Sequence, residues 1–167
     1  MKILIYVKYF IVWVDFLSEV WFFAYGWALD KTLLKKVIGE CGEPKRAILP
    51  GYRLVFDVFS PSWKGGVANI VEDVDSVVYG GVYKISMSQL ARLDEVIGVP
   101  NIFSRRKVVV EVEDLGSINS ITYASASGRG RWIKPSEQYL RALLHGLKQL
   151  KYSDEIINKV KKIAYGQ

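Results

Sequence analysis

The most informative stretch of this chain is FFAYGWAL, residues 22–29. It ends an apolar run that begins at Val20, and such a run followed by glycine predicts a buried strand entering a turn at Gly26. Asp30 comes next, and an aspartate ahead of apolar residues at helical spacing predicts the N-cap of a helix extending to about Ile38. A strand, a tight turn and a capped helix are therefore expected in succession.

Strands are expected mainly in the middle of the chain, with helices inserted among them and at the end. The predicted strands are residues 52–59 (after a turn at Pro50-Gly51), 66–71 and 77–85, and a hairpin of 108–112 with 118–124. The predicted later helices begin after Ser86 or Ser88, at Pro135, and after the cap Ser153. This order is not a strict βαβ alternation, so it predicts an α+β domain.

Length and composition restrict the functions that can be considered. The chain has 167 residues, enough for one domain, which we assign to residues 20–167. With one cysteine and one histidine, Cys41 and His145, neither an intrachain disulfide nor a cysteine- or histidine-built metal site is expected. The net charge is +6, and residues 84–167 hold 14 basic and 8 acidic groups. This basic half, which includes Arg129, would suit an acidic partner.

Residues 1–19 form an apolar N-terminal extension. Polar residues within a narrow arc favour a helix, whereas the isoleucine and valine content favours a strand, so both remain open. Charged residues interrupt the segment too often for a membrane span. We expect a cytoplasmic protein in which residues 1–19 dock on the domain, a partner or a membrane surface. The alternative is a natural start near Val20.

Five stretches resemble, in the same order, motifs of the γ-glutamylcyclotransferase-like superfamily, which includes the AIG2-like proteins. FFAYGWAL is similar to the family's F-A-Y-G-S-N-L loop. The other four are KGGVANI at 64–70, VYGGVY at 78–83, LDEVIGV at 93–99 with the strand that follows it, and KPSEQY at 134–139. The resemblance extends over about residues 20–150 and leaves out the first nineteen.

The resemblance implies a small mixed β-barrel with flanking helices and a pocket at one mouth. The family's enzymes cyclise a γ-glutamyl group and release 5-oxoproline and a free amine, without a metal or cofactor. The substrate's own α-amine attacks the γ-carbonyl, and one carboxylate can take the amine's proton and return it to the leaving group. Backbone N–H groups of the loop are implied to hold the substrate's carboxylate.

The position of the family's catalytic glutamate is the main departure from the pattern. That glutamate stands directly before a glycine, and here Ile97 precedes Gly98. An isoleucine cannot accept a proton, and losing a general base typically costs about 10²–10⁴ in rate. Asp94 and Glu95 are the catalytic candidates that could replace it. On the expected helix Asp94 lies on nearly the same face as Ile97, and Glu95 lies on the other.

The loop departs as well, since Trp27-Ala28 stands where the family has Ser-Asn. The Trp27 ring either plugs the core or forms a wall on which a flat ligand stacks. For Tyr139, whose family counterpart faces the pocket, the alternative is packing between helix and barrel. The expected substrate-binding residues are Tyr25, Gly26, Trp27, Ala28, Leu29, Ile97 and Tyr139.

Three functional hypotheses follow. The first is a diverged member that binds a small γ-glutamyl- or carboxylate-type ligand without turnover. The second is an active cyclotransferase that uses Asp94 or Glu95. The third is an interaction module for an acidic partner, nucleic acid or a membrane surface. An acidic side chain beside Trp27 in the pocket would favour the enzyme, whereas a pocket closed by Ile97 and Trp27 would favour the module.

Overall fold

The described part of the N-terminal extension contains two paired strands. The structure, a computed structural model, describes residues 2–7, 10–15, 18–126, 128 and 130–167. Within the extension, β1 (Lys2–Val7) and β2 (Phe10–Asp15) pair antiparallel with each other. Of the two conformations left open for this segment, helix and strand, the structure has the strand.

Five further strands close into a small mixed barrel. They are β3 (Glu19–Ala24), β4 (Lys45–Ser60), β5 (Gly65–Ser86), β6 (Ser104–Val112) and β7 (Gly116–Ala124). Their order is β3-β5-β4-β6-β7, and neighbouring strands in this order are antiparallel. The barrel closes where β3 meets β7 in parallel, with Phe22 opposite Ile121. The predicted α+β class with a mixed barrel is confirmed.

In the described part of the chain, four α-helices flank the barrel, and each begins at a polar N-cap. They are α1 (Lys31–Ile38), α2 (Met87–Ile97), α3 (Glu137–Gln149) and α4 (Asp154–Ala164). The caps are Asp30, Ser86, Ser136 and Ser153, whose side-chain oxygens each accept a hydrogen bond from the first helical turn. Among the described residues, no helix has the length and apolar character needed to cross a bilayer.

Three local predictions near prolines and turns are wrong. Pro50-Gly51 is not a turn, because β4 continues through it with a shift in its pairing register. Gly51 has a φ of 78° at this irregularity, a value that glycine adopts without strain. Residues 66–71 and 77–85 belong to one strand, β5, since they pair with β4 on both sides of that irregularity. Pro135 lies outside α3, because the Ser136 hydroxyl caps the helix by accepting from the Tyr139 N–H at 3.2 Å.

The segment leading into α3 lies directly on the barrel wall at Gly66. The Gly66 N–H donates to the Lys134 carbonyl at 2.8 Å, and the Ile133 N–H donates to the Phe56 carbonyl at 2.7 Å. A Cβ on Gly66 would come within 2.0 Å of the Ile133 carbonyl oxygen, so only glycine permits this approach. The contact fixes where α3 begins and brings Tyr139 to the barrel mouth.

Candidate functional site at the barrel mouth

A cavity of about 320 Å³ lies at one mouth of the barrel. It is lined by β3, the 3₁₀ turn Trp27–Leu29, the β4–β5 turn, the end of α2 and the start of α3. Six of the seven expected substrate-binding residues line it, namely Tyr25, Gly26, Trp27, Ala28, Ile97 and Tyr139. Leu29 does not, because its side chain is fully buried beneath the turn. The Leu29 carbonyl is held there by the Tyr83 hydroxyl, which donates to it at 3.0 Å.

Two backbone N–H groups at the 3₁₀ turn donate hydrogen bonds within the turn itself. The Leu29 N–H donates to the Gly26 carbonyl at 3.1 Å, and the Asp30 N–H donates to the Trp27 carbonyl at 3.0 Å. A Cβ on Gly26 would come within 2.6 Å of the Tyr139 hydroxyl oxygen, so a larger residue here would push the Tyr139 side chain aside. Of the N–H groups expected to hold a carboxylate, that of Leu29 is therefore engaged inside the turn.

Tyr139 both lines the cavity and packs α3 on the barrel. Its hydroxyl oxygen accepts from the buried Ala68 N–H at 3.0 Å. Burial raises the pKa of Tyr139, although the backbone N–H groups of Ala68 and Trp27 act in the opposite direction. The Tyr139 ring meets Trp63 nearly edge-on, with ring centroids 5.1 Å apart. Tyr139 therefore has both of the predicted roles, since it forms part of the pocket wall and also packs the helix against the barrel.

Neither candidate catalytic carboxylate lies among the residues that line the cavity. Asp94 pairs with Arg105, whose Nε lies 3.0 Å from Oδ1, and the same oxygen accepts from the Tyr123 hydroxyl at 2.8 Å. Burial, followed by this hydrogen bond, raises the pKa of Tyr123. Glu95 is exposed on the other side of α2. The structure thus brings Ile97 to the cavity, whereas Asp94 lies outside the lining in an ion pair with Arg105 and accepts from the Tyr123 hydroxyl.

A further carboxylate, Asp57, is buried in the barrel without lining the cavity. Its Oδ1 accepts from Asn69 Nδ2 at 3.0 Å, and Asn69 Oδ1 accepts from the Ser125 N–H at 2.9 Å. This chain of bonds connects β4, β5 and the end of β7. It gives Asp57 a structural role in holding the strands beneath the mouth.

The sequence did not single out several residues of the cavity wall. They are chiefly Phe59, Trp63, Val96 and Ile102. Trp63 lies against Trp27, with ring centroids 6.2 Å apart and ring planes tilted by 37°. The signal in the sequence that could have found Trp63 is its place directly before the KGGVANI stretch at 64–70, which resembles a family motif.

His145 lies away from the cavity. His145, on α3, contacts the α1 cap, with Nδ1 2.8 Å from Asp30 Oδ2, and takes no part in the cavity. Arg129 lies outside the described residues. In the part of the chain that the structure describes, no group of three or more histidine, cysteine or acidic side chains is placed to hold a metal ion.

Several solved structures superpose on this fold. One, a gamma-glutamyl cyclotransferase, superposes with a TM-score of 0.79 at 26% identity, covering 86% of this chain and 87% of its own. Another, a human protein titled uncharacterized, superposes with a TM-score of 0.78 at 26% identity and covers 86% of both chains.

Sequence comparison gives the family. The family model for gamma-glutamyl cyclotransferase, AIG2-like, matches residues 22–141, so this chain belongs to that family, as the loop and strand motifs predicted. A gamma-glutamylcyclotransferase from Bos taurus is 30% identical over 91 residues. That stretch is 54% of this chain and 47% of the bovine protein, so the match spans about half the length of this relative.

Proposed function

We propose that this chain is a diverged member of the family that binds a small γ-glutamyl- or carboxylate-type ligand in the mouth cavity without cyclising it. One observation carries the proposal. Ile97 lines the cavity at the position where the resemblance puts the acid/base glutamate, and the described lining holds no carboxylate, amine or imidazole.

The chemistry explains why this lining matters. Cyclisation requires a group that accepts a proton from the substrate's α-amine and returns it to the leaving amine. The titratable side chains in the described lining are the tyrosines Tyr25, Tyr123 and Tyr139, and burial raises the pKa of each. At neutral pH these tyrosines stay protonated and cannot act as the base. The absence of a base predicts a rate at least about 10²–10⁴ lower than that of a family member with its glutamate.

A relocated base is the competing interpretation. Asp94 has one oxygen shared between Arg105 and the Tyr123 hydroxyl. To serve as a base, it would have to leave both partners and move into the cavity, which it does not line. Glu95 would have to cross from the exposed side of α2. The contacts therefore favour binding without turnover.

The interaction module is less well supported than a ligand site. A pocket plugged by its own side chains would have favoured that module. Instead Ile97 and Trp27 are both partly exposed and border an open volume of about 320 Å³. This volume lies within the range of small-molecule sites, roughly 300–1,000 Å³.

The test is 5-oxoproline release from γ-glutamyl dipeptides by the wild-type protein and matched variants. We expect no release above the uncatalysed rate from wild type, from Asp94→Asn or from Glu95→Gln. Ile97→Glu returns a carboxylate to the cavity, and Ile97→Gln has the same shape without a base. Release by Ile97→Glu but not by Ile97→Gln would support the proposal. Turnover by the wild-type protein would refute it, and loss of that turnover in Asp94→Asn or Glu95→Gln would identify the relocated base.

A further inference from the structure

The wall of the mouth cavity is aromatic and uncharged. Nine of its 22 described lining residues are aromatic, and none is an acid, an amine or a histidine. A γ-glutamyl group carries both an ammonium and a carboxylate, and burying either one without a charged partner is costly. The inner cavity therefore suits an apolar part of a ligand better than a charged part.

Two buried hydroxyl groups at the wall offer little to a ligand, because both already donate to backbone carbonyls. The Tyr25 hydroxyl donates to the Tyr123 carbonyl at 2.6 Å, and the Thr122 hydroxyl donates to the Phe23 carbonyl at 2.8 Å. The Tyr139 hydroxyl oxygen accepts from the Ala68 N–H at 3.0 Å. A ligand that competed for the Tyr25 or Thr122 hydroxyl would have to break a buried hydrogen bond of the barrel.

Two indole rings and an apolar rim form the most distinctive part of the wall. Trp27 and Trp63 are both partly exposed and both line the cavity. Around them, Phe59 is 55%, Val96 57% and Ile102 40% exposed, although all three are large apolar side chains. Exposed apolar residues that border a cavity are typical of a ligand-binding groove rather than of an ordinary surface.

We infer that the mouth cavity recognises its ligand through an uncharged ring, seated against Trp27 and Trp63, while any charged group of the ligand stays at the solvent-facing mouth. The inference rests on the proposed function, because it names the chemical class that the same cavity binds. It makes Trp27, in place of the family's serine, the residue that sets ligand preference. Flat rings gain both buried apolar area and ring–ring attraction against such a wall.

Isothermal titration calorimetry with three probes tests the inference: γ-glutamylphenylalanine, γ-glutamylalanine and 3-phenylpropionate. We expect the phenylalanine dipeptide to bind at least about tenfold more tightly than the alanine dipeptide, from burial of the ring. We also expect 3-phenylpropionate, which lacks the γ-glutamyl group, to bind. Equal affinity for the two dipeptides, or failure of both ring-bearing probes to bind, would overturn the inference.

Variants place the preference in the cavity. Trp27→Ser should remove the preference for the ring, whereas Trp27→Phe should keep it. Trp132→Ser is the control, since Trp132 lies outside the lining and donates to the Ala164 carbonyl. Phe59→Ser, at the exposed rim, serves as a second variant if Trp27→Ser does not fold, and it should also reduce the preference. A preference unchanged in Trp27→Ser, or in Phe59→Ser where that variant is used instead, would refute the assignment.

The two proposals fail in different ways. Release of 5-oxoproline from either dipeptide would contradict binding without turnover, and the ring preference could still be measured as a ratio of affinities. Equal affinities for the two dipeptides with no release of 5-oxoproline would instead leave the proposed function intact and refute the preference for a ring.

Discussion

Gly146 is the point at which α3 rests on the turn that carries Trp27, and Gly146→Ala should destabilise the protein. A Cβ on Gly146 would lie 2.3 Å from Leu29 Cβ and 2.8 Å from the Asp30 nitrogen. Carbon atoms in contact normally sit about 3.5–4.0 Å apart, so the overlap exceeds about 1 Å. Neither neighbour is the free end of a flexible side chain. Helix and turn must therefore separate.

Two opposing effects set the size of the change. Replacing glycine by alanine within a helix gains about 1 kcal/mol of intrinsic helix stability. Overpacking costs about 1–3 kcal/mol or more, and an overlap that includes backbone atoms belongs at or beyond the upper end. The net loss should be about 2 kcal/mol or more, which lowers Tm by about 4–8 °C for a chain of this size.

Thermal unfolding of Gly146→Ala and of a matched glycine variant measures this loss of stability. Gly42→Ala is the control, because a Cβ on Gly42 would meet no atom within 4 Å and its φ is not positive. That variant should be unchanged or about 0.4–1 kcal/mol more stable, from the reduced freedom of the unfolded chain. If Gly146→Ala were as stable as Gly42→Ala, the tight seating of α3 on the turn would be refuted.

Tyr139→Phe should lower the free energy of unfolding in urea by about 1–3 kcal/mol, because it leaves the buried Ala68 N–H without its acceptor; Tyr165→Phe, at a half-exposed site, should change it by under about 0.5 kcal/mol. Asp30→Ala should cost about 1–2 kcal/mol through loss of the α1 cap, and Asp30→Asn, which keeps an acceptor, clearly less in the same titration. Stability should also fall at alkaline pH, because burial lifts several tyrosine pKa values above their unfolded value of 10.0. The folded chain then stays protonated where the unfolded chain ionises, so the contribution is complete below pH 10 and declines above it, by up to about 1.4 kcal/mol per pH unit per tyrosine in urea titrations. Stability that did not change between about pH 9 and the alkaline limit would contradict this prediction. The tyrosines concerned are Tyr25, Tyr83, Tyr123, Tyr139 and Tyr152.

Helix starts were predictable because capping is a local property. Asp30, Ser86 and Ser153 each satisfy N–H groups two or three residues along the chain, and a short sequence window contains both partners. The error at Pro50 has the opposite cause. At Pro50, pairing with a distant strand carries β4 through a residue that local rules treat as a turn.

The cavity was only partly predictable for the same reason. Tyr25, Gly26 and Trp27 are consecutive, so one motif identified them together. Trp63 reaches the wall only because the β4–β5 turn folds back towards Trp27, 36 positions earlier in the chain. The pairing of Asp94 with Arg105 and Tyr123 is likewise tertiary. Helical position alone put Asp94 near Ile97 without showing which partners would take its carboxylate.

The apolar character of this site is difficult to explain as simple decay of a catalytic centre. A site that had lost its function without gaining another would be under no constraint to stay open, and buried polar groups left from it would lack partners. Here the wall hydroxyls of Tyr25, Thr122 and Tyr139 are each engaged, and the volume persists. The tight contacts at Gly26 and Gly146 still hold the turn in place. On the proposed function, Ile97 and Trp27 both stand where the resemblance places polar residues, so the two changes agree in direction, as selection for a less polar ligand would produce.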